Sequence, residues 1–301
     1  MIKALAQTFH AAMASMPRLA RGYFAVLGCL GRHLSPHRRQ QVMNSLNTVE
    51  WTGFSFPARE VHVAEGTRMM LHPHAGEFDF EAVLGGGLSY EAEVFRFLDG
   101  ILDGYDAVID IGANVGVFTV FMAKRLAGRG TVYAFDPSRE VFGRLLENLK
   151  ANALTNVAAF NCAIGQKSGF AMFTEPEGHL TNGSLVEAFA RQFSTKVKRT
   201  AVTVLDAAEL TSLVEDHPRV LIKIDTEGFE AVVLEALAPV LRARKPDLII
   251  EVLSEFEEAL NRVPVLTELG YRAASITPEG LVPCDRITAA KWRDCFLTSK
   301  A

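Results

Sequence analysis

Between residues 107 and 252, short apolar runs alternate with segments of helical period, and few folds accept that alternation. The runs at 107–111, 131–135, 157–161, 220–224 and 247–252 are each about one strand long. Segments at about 116–126, 139–151 and 228–241 carry helical spacing between them. Strands buried on both faces and separated by helices imply a parallel, doubly wound α/β sheet. Residues 166–205 break the alternation, so strands or a lid inserted near the site are expected there.

Composition removes other classes. Cys29, Cys162, Cys284 and Cys295 are widely separated, with no CxxC pair. That excludes a disulfide scaffold and a structural zinc site, and it implies a reducing, cytoplasmic setting. No apolar run is long enough to span a bilayer. Gln7, Thr8 and His10 interrupt the apolar start, against a secretory signal.

The formal net charge of −4 conceals an asymmetry. Residues 1–49 hold Lys3, Arg18, Arg21, Arg32, Arg38 and Arg39 and no acid, so this segment is basic and the remainder strongly acidic. Ile2, Leu5, Phe9, Met13 and Met16, then Tyr23, Leu27 and Leu30, recur at helical spacing. The favoured reading is a helical extension, residues 1–50, that buries this stripe on the main domain. Weak peripheral contact with a membrane surface is the second reading. Gly22, Gly28 and Gly31 count against it, since they interrupt the second helical stretch. No nucleic acid is expected, because the bulk of the chain is acidic and lacks a recognition motif. Residues 51–100 read as a hairpin turning at Glu65-Gly66, a Gly85-Gly86-Gly87 break and a lead-in helix over 90–102.

The strongest local motif is Asp110-Ile-Gly112-Ala-Asn114-Val-Gly116. It leaves a strand and opens a helix, where open α/β sheets bind ligands. Glycines there let backbone approach a nucleotide-like ligand closely. A dinucleotide fingerprint would read GxGxxG and present helix N–H groups to a pyrophosphate. Here the spacing is Gly-x-x-x-Gly, and Asp110 would repel phosphate while suiting an ammonium or sulfonium charge. S-adenosylmethionine carries both charges and no phosphate. A tight turn capped by an acid is the structural alternative.

Asp136, at the end of the next strand, can accept both hydroxyls of a ribose, or else cap the helix that follows. Cys162 and Ala163, ending the third strand, would lie beside the base. Farther on, Lys223-Ile-Asp225-Thr-Glu227-Gly228-Phe-Glu230 ends another parallel strand. Charges at the end of a core strand are costly unless paired or used. A Lys223 salt bridge with Asp110 or Asp225, and Glu230 at a helix start, would account for two of them. Asp225 and Glu227 then face the ligand crevice.

Taken together, these motifs resemble the FkbM-type S-adenosylmethionine-dependent methyltransferases. The resemblance runs from about residue 58 to 300. It rests on Tyr90-Glu91-x-Glu93, the 109–116 and 134–137 segments, Ala163-Ile-Gly165 and the 222–230 motif. It implies a seven-stranded, mostly parallel Rossmann-like methyltransferase sheet over residues 101–301. It further implies O-methylation of a hydroxyl on a sugar, glycan or other natural product. By the resemblance, Asp110, Gly112, Asn114 and Gly116 line the methionine end of the cofactor, with Glu91 close by. Asp136 matches the ribose acid, usually a glutamate in the family, and Cys162 stands where related enzymes often carry an aspartate toward the adenine.

A hydroxyl acceptor needs a base, or a metal to acidify it. Asp225 and Glu227 lead as bases, with His179 of the irregular region as a third candidate. A divalent ion between Asp225 and Glu251 is the alternative, but two acids do not define a site. The polarity of a hairpin loop accounts for His72-Pro73-His74. Two other classes compete: an inactive methyltransferase-like scaffold docking through its basic N-terminus, and a nicotinamide-dependent dehydrogenase, which Asp110 and the glycine spacing disfavour.

Overall fold

The computed structural model describes residues 2–31, 33–46, 49, 56–63, 67–74, 77–84, 86–88, 90–289 and 291–300. The chain divides into two compact units, Met1–Ala92 and Glu93–Ala301. Among the described residues, no helix is long and apolar enough to cross a membrane, and all four cysteines are free.

The first unit contains helices α1 (Ile2–Ala14), α2 (Pro17–Gly31) and α3 (Pro36–Leu46). An antiparallel pair follows, β1 (Arg59–His62) and β2 (Arg68–Leu71), with Arg59 opposite Leu71 and His62 opposite Arg68. The Glu65-Gly66 turn expected between them lies outside the described residues, as does Gly85. A 3₁₀ helix over Phe78–Leu84 supplies Phe80, Val83 and Leu84 to a core shared with Ala20, Phe24, Met43 and Leu46.

In α2 one expectation fails and another holds in part. The helix is uninterrupted, because Gly28 and Gly31 admit another backbone: a Cβ at Gly31 would overlap the Leu84 carbonyl, and one at Gly28 would lie 3.0 Å from the Val83 oxygen. Of the expected core stripe, Tyr23 and Leu27 pack against the cluster that holds Ala20 and Phe24, while Leu30 is exposed. His74, read as loop polarity, donates its backbone N–H to buried Asp79 at 3.0 Å and sets its ring Nδ1 2.6 Å from the other Asp79 oxygen.

The second unit opens with α4 (Ala92–Ile101), whose first residue ends the preceding unit. Then come β3 (Ala107–Ile111), α5 (Val117–Arg125), β4 (Thr131–Phe135), α6 (Arg139–Ala151) and β5 (Val157–Phe160). Residues 163–206 build a separate three-stranded sheet from β6 (Ala163–Gly165), β7 (Gly169–Pro176) and β8 (Val197–Asp206), with α7 (Glu187–Phe193) between the last two. This is the break in the alternation. After α8 (Leu210–Leu213) the main sheet resumes with β9 (Val220–Ile224), α9 (Glu230–Ala236), α10 (Ala238–Arg244) and β10 (Asp247–Glu251). One helix was expected over 228–241; two form, with Pro239 in the first turn of the second, where its missing N–H is tolerated.

The chain finishes with α11 (Glu257–Asn261), α12 (Pro264–Glu268) and three antiparallel strands, β11 (Arg272–Thr277), β12 (Gly280–Cys284) and β13 (Asp294–Thr298). The sheet order is β12-β11-β13-β10-β9-β3-β4-β5. It has eight strands where seven were expected. The extra strand, β12, is an edge strand with Pro283 in it and little burial, so it lacks the pattern of a core strand. All five residues of β3, β9 and β10 are buried, as central parallel strands require. The parallel order turns between β3 and β9: β4 and β5 lie to one side, β10 to the other. Ligands of open α/β sheets bind outside the carboxyl ends of strands at such a point.

Candidate functional site

The carboxyl ends of the central strands are tied to one another before any side chain acts. Gly112 and Ala113 donate their N–H groups to the Phe135 carbonyl, each at 2.9 Å, and the Asp225 N–H donates to Ile111 at 2.9 Å. Gly112 has φ of +85°, and a Cβ there would overlap the Asp225 carbonyl oxygen. Gly116 shares that φ, and its Cβ would run into Leu145 of α6. The motif glycines were expected to serve a ligand. In the fold they let β9 and α6 close onto the β3 turn, and Gly112 in addition forms part of a cavity wall. Asn114 completes the turn at φ +52°, a region asparagine tolerates.

A cleft open to solvent, with about 530 Å³ of empty space, lies here, lined among others by Gly112, Asn114, Asp136, Cys162, Ala163, Asp225 and Glu227. Seven of the residues singled out in sequence thus share one wall. Asp136 is buried; its Oδ2 accepts the Asn114 N–H at 3.0 Å and its Oδ1 the Ser138 N–H at 2.9 Å. Burial outweighs those two bonds and raises its pKa from 3.8 to about 7. Ser138 caps α6, accepting the Val141 N–H and donating its hydroxyl to buried Glu175 of β7 at 2.6 Å. Burial also raises the Cys162 thiol to about 11, so it lines the wall as a neutral group.

Asp110 is fully buried behind this wall rather than on it. Its Oδ2 accepts from the Thr119 hydroxyl at 2.6 Å, while Oδ1 is buried with no hydrogen-bond partner among the described residues. Burial raises its pKa, against the pull of Lys223 and Thr119. Lys223 sits opposite Asp110 in the β3–β9 register. It is buried, lies 2.7 Å from Asp225 Oδ2, and stands 4.6 Å from the Phe118 ring centroid. Of the two partners considered for Lys223, Asp225 takes the direct bond. Replacing a buried cation's partner is costly, so this pair fixes Asp225 at the strand end.

Glu230, buried at the first turn of α9, holds the loop ahead of it. Its Oε1 accepts the Thr226 N–H at 2.8 Å, the Thr226 hydroxyl at 3.0 Å and the Gly228 N–H at 3.0 Å. Glu227 lies inside that loop at φ +56°, and its carbonyl accepts the Ser184 hydroxyl at 2.7 Å.

His179 is exposed beside a 3₁₀ turn over Leu180–Asn182 and is not on the cavity wall. Glu91 belongs to the first unit, with φ of +44°. No group of three or more His, Cys, Asp or Glu poised for a metal occurs among the described residues; Glu251 is 3.7 Å from Arg293. Sequence reasoning missed Thr181, Gly183, Leu185 and Phe229 on the wall. The Asn114 side-chain amide donates to the Thr181 carbonyl at 3.3 Å, which ties the inserted region to the glycine motif. Only the break in periodicity pointed to that region.

A mixed α/β sheet, parallel in its central strands and with an acidic cavity at its switch point, is a Rossmann-like ligand-binding architecture. The Methyltransferase FkbM domain matches residues 110–273, more than half of the chain. The chain belongs to the FkbM methyltransferase family. It is 22% identical over 190 residues to Methyltransferase 1 of Beauveria bassiana, covering 58% of this chain and 76% of that one. It is 28% identical over 153 residues to the hexuronic acid methyltransferase AglP of Haloferax volcanii, covering 51% and 59% respectively. A crystal structure of an FkbM methyltransferase from Methylobacillus flagellatus aligns over 64% of this chain and 43% of its own, with TM-score 0.41 and 17% identity. The chain therefore spans less than half of that solved protein and under two thirds of the Haloferax relative.

Proposed function

We propose that the chain transfers the methyl group of S-adenosylmethionine to a hydroxyl of a sugar, glycan or other natural product. The observation that carries this reading is the cavity at the β3/β9 switch point, whose acidic wall side chains are the carboxyls of Asp136, Asp225 and Glu227 and which carries no basic side chain among the described residues. A wall of that sign repels a pyrophosphate and favours a ligand with ammonium and sulfonium charges. The donor set fits such a ligand. Each Asp136 oxygen accepts one backbone N–H and keeps a lone pair for a ribose hydroxyl. Asp110 adds, just behind the wall, a buried carboxylate oxygen with no hydrogen-bond partner among the described residues. Gly112 and Asn114 would hold the methionine end, and Cys162 and Ala163 the base.

When bound, the cofactor supplies a methyl already activated by its sulfonium. The protein's own work is then to bind and orient the acceptor oxygen, a task that can supply about 7–11 kcal/mol of the barrier. Asp225 and Glu227 are the carboxylates left to receive the hydroxyl proton once Asp136 is given to the ribose. Lys223 anchors the first, and Glu230 and Ser184 fix the loop carrying the second. The inserted region contributes Phe173 of β7 and Leu185 to the cavity wall. The Haloferax relative's action on a hexuronic acid favours a sugar among the acceptors considered. Incubating the protein with methyl-labelled S-adenosylmethionine and a panel of sugars and glycans tests the reading: label should appear as base-stable methyl ether. Label confined to amines, or to none of the panel while NAD alone shifts the melting temperature, refutes it.

A further inference from the structure

The apolar arc of α2 is wider than the first unit can cover. Ala20, Phe24 and Gly31 face the 3₁₀ helix at Phe78–Leu84 and are buried. One position earlier the helix turns back by about 100°, and Leu19, Val26 and Leu30 form a second stripe at i, i+7 and i+11. These three are 58%, 58% and 57% exposed. Half-buried Tyr23 lies beside the same stripe, and the Phe9 ring of α1 stands edge-on to it at 5.4 Å; Phe9 is 48% and Met16 44% exposed, so the patch reaches α1. Scattered exposed leucines need no explanation, but a helical stripe continued onto a second helix does.

Charge identifies what the stripe meets. Arg18 and Arg21 on α2, and Arg38 on α3, are exposed, and residues 1–49 contain no acid. A second copy would bring the same cations against these, at a repulsive cost. Nucleic acid would find the cations but no use for aliphatic side chains, since bases stack on aromatic rings and Leu and Val offer none. An anionic lipid surface uses both features: aliphatic groups enter the acyl boundary while arginines lie at the headgroups. We propose that the first unit docks on an anionic lipid bilayer surface through the Leu19–Val26–Leu30 stripe, with Arg18, to the side of the stripe, and Arg38 at the headgroups. The inference is independent of the methyl-transfer reading.

Flotation of the full chain with vesicles tests it. Phosphatidylcholine vesicles containing phosphatidylglycerol should carry the protein at about 0.05 M salt and release most of it at about 0.5 M, where charge attraction is screened within a few ångströms. Pure phosphatidylcholine should carry at least tenfold less. Replacing Arg18 with Gln should weaken anionic binding by about fivefold. The surface variant Leu19→Gln/Val26→Gln/Leu30→Gln, checked for unchanged circular dichroism, should lose at least tenfold. Full chain left unbound by anionic vesicles at low salt overturns the proposal, as does the triple variant binding like wild type. Light scattering that shows a dimer dissolved by the triple variant, with no vesicle binding, assigns the stripe to a second copy and also overturns it.

Discussion

Replacing Asp136 with Asn should change how stability depends on pH, and the size of the change follows from the site. Folding raises this carboxyl from 3.8 to about 7, burial being the largest cause. The folded protein therefore binds a proton that the unfolded chain has released throughout the window between those values. Stability must fall as pH rises through it, by up to about 1.4 kcal/mol per unit and about 4 kcal/mol in all. Asn removes that slope. Its amide turns an NH₂ toward one of the two backbone N–H groups that the carboxylate accepts, from Asn114 and Ser138. That costs about 1–3 kcal/mol, independent of pH. Asp110 and Glu230 are also raised by burial, and the Asp110 charge repels that of Asp136, so the difference between profiles reports Asp136 together with its coupling to Asp110. Urea unfolding from about pH 5 to about pH 7 measures it: wild type should lose about 2 kcal/mol more than the variant over that range. Parallel profiles would refute the reasoning. The same carboxylate should make S-adenosylmethionine binding weaken by up to about tenfold per unit as pH falls below about 7, because ribose hydroxyls donate to the ionised form.

Other outcomes follow from neighbouring contacts. Gly112→Ala combines a left-handed backbone, worth about 1–2 kcal/mol, with overlap on the Asp225 carbonyl; chemical denaturation should show a loss of more than about 4 kcal/mol, and a loss under 1 kcal/mol would mean that the β3 and β9 ends are not held together as described. Asp225→Asn and Glu227→Gln should each slow methyl transfer by about 10²–10⁴-fold, the range for losing a general base, while cofactor affinity in calorimetry stays within a few-fold; wild-type turnover by both variants would make these residues structural.

The parallel strands were legible because burial on both faces leaves an apolar run that nothing else explains. The expected spans 107–111, 131–135 and 220–224 match β3, β4 and β9 residue for residue. The charged motifs were legible for the converse reason: Asp110, Lys223 and Asp225 interrupt core strands at a cost that some pairing or use must offset. What sequence hid is contact between distant segments. Gly28 and Gly31 looked like helix breakers, yet each faces a backbone more than fifty residues away. Gly112 looked like a ligand contact, and its first duty is to the Asp225 carbonyl. Thr181, Gly183 and Leu185 reach the cavity through the fold of the inserted sheet, which carries no period of its own. His179, two residues from Thr181, points up the limit of reading a loop by residue type alone: it is exposed while its neighbour lines the wall.

The most direct measurement is calorimetric titration of the folded full chain with S-adenosylmethionine and with its demethylated product. One site with a dissociation constant on the order of micromolar is expected, about −8 kcal/mol, and Asp136→Ala should weaken it by about 1.5–3 kcal/mol, the range for hydrogen bonds to charged groups. Absence of heat with both ligands, on protein shown by circular dichroism to be folded, would contradict the assignment of this cavity to the methyl donor.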